Sequence, residues 1–203
     1  MSLREEIIHT AMRLFSVKGY ERTSLMDLLD AVGTSKGGFY NYFKSKDDLY
    51  YAVLSEAKRI WRECCLAGLD EIEDPVEKLK MLLVNYRDRY LKRTDTFPGG
   101  CIFLSFSVGL DGSRPDLIVD VTENFNRLKA RIKLYLDEGK DTGRIRADVN
   151  TTRMAQVIFS TMLGSSVVHR ADKSMENLDN SIGSILSLIE SIEIKKKSAV
   201  AAG

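Results

Sequence analysis

Cysteine and proline are both scarce in this chain of 203 residues, at three each. Three thiols, two of them adjacent at Cys64 and Cys65, cannot build a disulfide framework, which excludes the small secreted scaffolds and points to a reducing, cytoplasmic setting. The longest mostly apolar stretch, from Ala155 to Val168, falls short of the roughly 20 residues a bilayer span needs. The opening residues M-S-L-R-E-E-I-I-H carry acids where a secretory leader needs its apolar segment, so no leader and no membrane partner is expected. Sustained apolar–polar alternation, the mark of strands, is missing, as is any fixed-period repeat. His9 and His169 stand apart from any Cys or acidic cluster at ligand spacing, so no metal and no cofactor is expected. Glycine-rich phosphate loops are absent and no histidine lies near Cys101, which leaves an enzyme without machinery. The net charge of +1 says nothing about partners.

What is present is helical. Apolar residues make up 44% and charged residues 29%, enough for a buried core. Ile7, Ile8, Ala11, Met12 and Phe15 share one stripe of a helix over residues 3–18, which Gly19 closes in a left-handed conformation. Ser24 with Asp27 forms a capping box for a short helix through Val32. Ser35 caps a third helix through Phe43, and Ser45 with Asp48 a fourth through Trp61. Asp74-Pro75-Val76-Glu77 starts a helix expected to reach about Arg93. Ser113 with Asp116 opens a long one, Asn150 caps the next through His169, and the last begins near Ser174. The spacing predicts an all-α protein: an N-terminal three-helix unit over 1–47, a larger helical unit over 48–194 and a disordered tail over 195–203.

The stretch T-S-K-G-G-F-Y-N-Y-F-K-S-K, Thr34 to Lys46, is costly as an ordinary helix, since each glycine loses roughly 1 kcal/mol relative to alanine. Two short helices joined by a glycine-containing turn, the second rich in polar and aromatic donors, outline a helix-turn-helix. Gly37 and Gly38 let backbone approach a phosphodiester closely, Ser35 and the amides beside it suit a phosphate oxygen, and Tyr40 and Tyr42 present hydroxyls. Lys36, Lys44 and Lys46 supply phosphate-directed charge. Asn41 can read adenine, Lys36 guanine, and Thr34 a thymine methyl, while Phe39 and Phe43 pack beneath. Residues 1–50 are slightly acidic, so local clustering alone carries the charge argument.

The run G-Y-E-R-T-S-L-M-D-L-L-D-A-V-G-T-S-K-G-G-F-Y-N-Y-F-K-S-K-D-D-L resembles the N-terminal signature of the TetR/AcrR family of bacterial transcriptional regulators, over residues 4 to about 54. The resemblance implies an all-helical, homodimeric repressor. It implies DNA contacts at Ser35, Lys36, Gly37, Tyr40, Asn41, Tyr42 and Lys46, with Thr23 or Ser24 capping a helix near a phosphate. Leu29, Thr34 and Gly38 depart from the residues the family commonly has there, which leaves the operator sequence open.

The resemblance also implies an effector pocket within the longer helices and a two-fold interface made by the last two. Stripe position and chemistry nominate Tyr86, Tyr90, Phe103, Phe106, Phe125, Leu128, Phe159, Met162 and Ser166 for the pocket and a small apolar or aromatic effector, although such stripes chiefly fill cores. The wide apolar arc of the last helix must be buried against something, and Ile158, Leu178, Ile182, Ile185, Leu186 and Ile189 are nominated for the dimer interface. Cys101 sits where a helix macrodipole lowers a thiol pKa, so an electrophile- or redox-sensing regulator is the alternative reading, against a plain buried thiol. An adaptor without DNA affinity requires the Thr34–Lys46 surface to be inert.

Overall fold

The computed structural model describes residues 1–110, 112 and 114–194. Among these it is built of helices: α1 Leu3–Lys18, α2 Leu25–Val32, α3 Lys36–Tyr40, α4 Lys46–Cys65, α5 Pro75–Asn85, α6 Ile102–Gly109, α7 Pro115–Asp141, α8 Thr151–Asp172 and α9 Met175–Ile192. The expected tail over 195–203 lies outside the described residues, as does Ser113. Extended pairing among the described residues is limited to one antiparallel bridge, Ile145 with Glu193.

Local chemistry sets most boundaries. Ser2, Ser24, Ser35, Ser45, Asp74, Asn150 and Ser174 each accept a backbone N–H from the first turn they precede, satisfying a donor that would otherwise be unpaired. Gly33 ends α2 in the left-handed region at φ 74° and ψ 33°. Gly19 ends α1 with φ 82° but ψ 164°, an extended mirror conformation rather than the left-handed helical one expected; both exclude a Cβ comfortably.

Three elements differ from the sequence expectation. α3 stops at Tyr40, not Phe43, because the Tyr42 and Phe43 amides both donate to the Phe39 carbonyl, at 3.0 and 3.1 Å, and turn the chain toward α4. The helix begun at Pro75 runs on to Leu91, as expected within two residues, but its last turn, Tyr86–Leu91, is a π-helix. The long helix α7 starts after Arg114 with no side-chain cap and with Pro115 at its first position, where a missing N–H costs nothing.

α1 packs on α2, α4 and α6; α7 and α8 pack on one another, α8 on α9, and α5 on both α7 and α9. This arrangement corrects the interface expectation. Ile158, Leu178, Ile182, Ile185 and Ile189 are sealed inside the chain and only Leu186 is half-buried. The wide arc of α9 is taken up by α5 and α8, so these side chains offer a second copy no surface. A polar clamp closes the same end: Arg144 pairs with Asp74 and Glu193, and Lys80 with Glu193 at 2.7 Å.

Candidate nucleic-acid interface and helical body

Phe39 and Phe43 anchor α3, both buried with ring centroids 5.5 Å apart. With these two rings turned inward, the opposite side of the segment faces solvent. Ser24, Ser35, Lys36, Gly37, Tyr40, Asn41 and Tyr42 are exposed, Tyr40 by 54% and Tyr42 by 45%. Thr34 is half-buried. Its hydroxyl would lie 2.4 Å from a Cβ at Gly38, whereas a Cβ at Gly37 meets nothing closer than the Ser35 hydroxyl, 3.7 Å away. Gly38 is thus explained within the protein and Gly37 is not.

Two nominated residues sit differently. Thr23 is fully buried and its hydroxyl donates to the Gly19 carbonyl at 2.7 Å, so it braces the turn between α1 and α2 and has no surface for a phosphate. Capping of α2 belongs to Ser24 alone, inside a reciprocal box with Asp27. Hydrogen bonds from Ser24, first its side chain and then its backbone, with Lys18 at 3.0 Å, hold the Asp27 carboxyl at a pKa of about 2. Lys46 is half-buried with its ammonium 4.0 Å from the Tyr20 ring centroid, a cation–π contact. Desolvation lowers its pKa.

α1 and α4 tie this head to the rest of the molecule at two places. The Tyr20 hydroxyl donates to Asp47, and Arg114, ahead of α7, grips the same carboxylate through two guanidinium nitrogens at 3.0 and 2.8 Å. The Arg114 and Tyr20 hydrogen bonds hold the Asp47 pKa down. At the end of α1, the Ser16 carbonyl accepts from the Ser105 hydroxyl at 3.0 Å, and Arg170 of α8 donates to Ser105 and to the Val17 carbonyl. Gly99 donates its N–H to the Ser16 hydroxyl, and a Cβ there would lie 1.8 Å from the Ser16 carbonyl oxygen. A cleft of about 440 Å³ opens beside this junction, lined by Arg22, Leu104, Val108 and Arg170 among others.

The nominated pocket residues separate into groups. Tyr86 and Tyr90 stack with centroids 5.7 Å apart inside the body. The Tyr90 hydroxyl donates to the Cys101 sulfur at 3.8 Å, and that of Tyr86 reaches the Met162 carbonyl at 3.5 Å. Ser166 Oγ lies beside the Tyr86 hydroxyl, sealed from water, without a hydrogen bond of good geometry. Burial drives both phenols well above their ordinary pKa, so they are neutral donors. Phe106 instead packs on Phe15 and Tyr50 at the junction. Phe103 is buried in the core. Phe125 meets Phe159 between α7 and α8. Leu128 floors a cleft facing α4.

Of the two readings of Cys101, the structure agrees with the plain buried thiol. It stands at the head of α6 as foreseen, but it is buried, and desolvation pushes its thiol pKa up despite the amides and phenols beside it. Burial outweighs the macrodipole here.

Sequence reasoning passed over Arg114, Arg170 and the π-turn, since each derives its role from a partner more than sixty residues away or from backbone register. No helix among the described residues is long and apolar enough to cross a membrane.

Comparison with known proteins gives this geometry a setting. A family profile described as bacterial regulatory proteins, tetR family, matches residues 7–53, and one described as tetracyclin repressor-like, C-terminal domain, matches residues 75–185. The transcriptional repressor DhaR of Mycobacterium sp. (strain GP1) is 25% identical over 179 residues, 87% of each chain. A TetR transcriptional regulator from Chloroflexus aurantiacus superposes with a TM-score of 0.86 at 28% identity, covering 95% of this chain and 97% of that one. AibR, solved with isovaleryl coenzyme A and operator DNA, shares the fold with a TM-score of 0.71 at 19% identity, over 91% and 98% of the two chains.

Proposed function

The chain belongs to the TetR family of bacterial regulatory proteins, a family of DNA-binding transcriptional regulators, and we propose that it is a cytoplasmic homodimeric repressor released from a palindromic operator by a small apolar or aromatic effector. One observation carries this reading: α3 and the turn after it bury Phe39 and Phe43 and leave Lys36, Gly37, Tyr40, Asn41 and Tyr42 exposed together. Residues 1–47 act as the reading head and 48–194 as the effector-binding and dimerising body. Lys36 and the tyrosines hold phosphates and set register; Asn41 reads a base edge.

Dimerisation uses the outer faces of α8 and α9 rather than their buried stripes. Val157, Gly164 and Val168 of α8 and Ser184 of α9 are exposed there, with Leu188 half-buried beside them. Small and apolar side chains in that arrangement let helices approach closely. The effector site is the interior cluster of Tyr86, Tyr90, Cys101 and Ser166, where hydroxyl and thiol groups converge with poorly satisfied hydrogen bonds in an apolar surround. A ligand bearing one polar group can accept from the phenols while its apolar part displaces neighbouring side chains. AibR, of the same fold, is known in complex with isovaleryl coenzyme A and operator DNA, so this fold can hold a small organic molecule and DNA in one complex.

An effector can shift the protein only as far as it prefers one conformation over another. Movement of α6, α7 or α8 around a ligand reaches the head through Ser105, Arg170 and Arg114. In a two-fold dimer it changes the separation of the two α3 helices, which must match half-sites about one helical turn apart.

The test is fluorescence anisotropy with a duplex selected by this protein from a random library, alongside sedimentation velocity. The reading expects a dimer, a palindromic selected site, affinity that falls steeply with salt, and loss of at least tenfold in affinity for Tyr40→Ala with unchanged helicity. Equal affinity for random duplex at physiological salt, or a Tyr40→Ala variant that binds as well as the parent, would overturn it.

A further inference from the structure

The first turns of α7 meet α4, where the Tyr50 hydroxyl donates to the Leu117 carbonyl at 2.9 Å and Lys58, past the middle of α4, pairs with Asp120 at 3.3 Å. Farther along they leave a cleft of about 220 Å³, lined by Lys58, Trp61, Arg62 and Leu66 of one side and Asn124, Arg127, Leu128 and Arg131 of the other. Every charged residue in that lining is a cation. Two of the four are already engaged: Lys58 with Asp120, and Arg127 with Glu123 at 3.1 Å. Arg131 reaches only the Tyr135 hydroxyl, at 3.4 Å, and among the described residues neither it nor Arg62 has a carboxylate partner. Trp61, the single tryptophan of the chain, is half-buried against the core, and buried Leu128 closes the bottom.

We infer that this cleft binds a small organic anion, a carboxylate or phosphate carried on a flat apolar body. The chemistry is specific. Guanidinium groups form paired, charge-assisted hydrogen bonds to carboxylate and phosphate oxygens, and a concave wall concentrates the field of Arg62 and Arg131, the two cations of the lining without a carboxylate partner among the described residues. The indole face offers stacking area for a ring, which isolated surface arginines do not. At about 220 Å³ the space is below the 300–1,000 Å³ usual for drug-sized ligands, so it suits a molecule of one or two rings. The cleft belongs to α4 and α7, on the body of the molecule and apart from the α3 face. This site is separate from the interior cluster assigned to the effector above, and anion binding here does not rest on the regulatory reading.

Trp61 is both a wall of the site and its reporter. Titration of the full-length protein at 0.1 M salt with benzoate, phenyl phosphate and benzyl alcohol, read by tryptophan fluorescence and by calorimetry, tests the assignment. Benzoate or phenyl phosphate should change Trp61 emission saturably, with the neutral alcohol binding at least tenfold more weakly, and whichever anion is preferred identifies the headgroup. The double variant Arg62→Gln, Arg131→Gln, whose side chains are on the surface, should weaken that binding at least tenfold while circular dichroism stays unchanged. The assignment is overturned if no probe binds, if benzyl alcohol binds as well as the anions, if the double variant binds unchanged, or if random duplex DNA displaces the anion. Saturable anion binding that the double variant loses upholds the cleft.

Discussion

Replacing Gly37 by alanine separates what α3 needs for its own stability from what it needs to meet DNA. The added Cβ has no protein atom nearer than 3.7 Å, an ordinary contact, and Gly37 lies in the first turn of a helix of five residues. Alanine is favoured over glycine in a helix by about 1 kcal/mol in the interior, so a gain of about 0.5–1 kcal/mol is reasonable at this position. For a chain of this length that raises Tm by about 1–4 °C. Toward DNA the sign reverses. A methyl group between α3 and a phosphate stretches the charge-assisted contacts made by Lys36 and its neighbours, and losing the better part of one or two such bonds costs about 2–3 kcal/mol, or roughly 30- to 150-fold in Kd. Differential scanning fluorimetry and anisotropy against the selected duplex measure the two effects independently. Gly99→Ala is the contrasting control, since its Cβ would overlap the Ser16 carbonyl and should lower Tm. A Gly37→Ala protein that is more stable yet binds within threefold of the parent would refute the claim that bare backbone at Gly37 approaches DNA.

Two further outcomes follow from the electrostatics. Glu193→Gln removes the shared anion of Lys80 and Arg144, whose side chains are largely buried around it; breaking such a cluster costs roughly 3 kcal/mol and should lower Tm by about 6–12 °C, whereas a fall under 2 °C in thermal melts would show the clamp to be incidental. Asp27, held at a pKa of about 2 by Ser24 and Lys18, is lower in the folded chain than in the unfolded one, so its contribution is full above about pH 4 and is lost as pH falls toward 2. Carbon-detected NMR titration of its carboxyl should place the midpoint near 2, and a midpoint near 4 would mean the capping box does not hold the charge.

Much of the architecture is legible in the sequence because it is written locally. Ser24 with Asp27 and Asp74 with Pro75 announce helix starts within four residues, and the spacing of Leu178, Ile182, Ile185 and Ile189 announces a buried stripe. What the stripe is buried against is a tertiary matter: α5 and α8 sit there, so the broad apolarity of α9 is spent inside the chain. The α3 face was readable because Phe39, Tyr40, Asn41 and Tyr42 are neighbours in the chain. Tyr90, Cys101 and Ser166 converge from three elements, and only the first two lie within a dozen residues of each other. The basic cleft is an intermediate case. Lys58, Trp61 and Arg62 share one helical face, as do Asn124, Arg127, Leu128 and Arg131, but nothing in either pattern says that the two faces look at each other. At Cys101 the sequence shows the helix start but not the depth at which it lies, so the buried and the reactive thiol could both be read there.

α4 begins with Lys46 beside the reading head and ends with Cys65 deep in the body, 20 residues later. At 1.5 Å per residue it is a rod roughly 30 Å long, clasped near its head end by Arg114 on Asp47. Swinging such a rod by about 5° around its far end carries the near end through roughly 2.6 Å. In the two-fold dimer proposed above, the same swing in both copies would alter the span between paired heads by up to about 5 Å against a half-site repeat of roughly 34 Å, so a small tilt would suffice to misalign them.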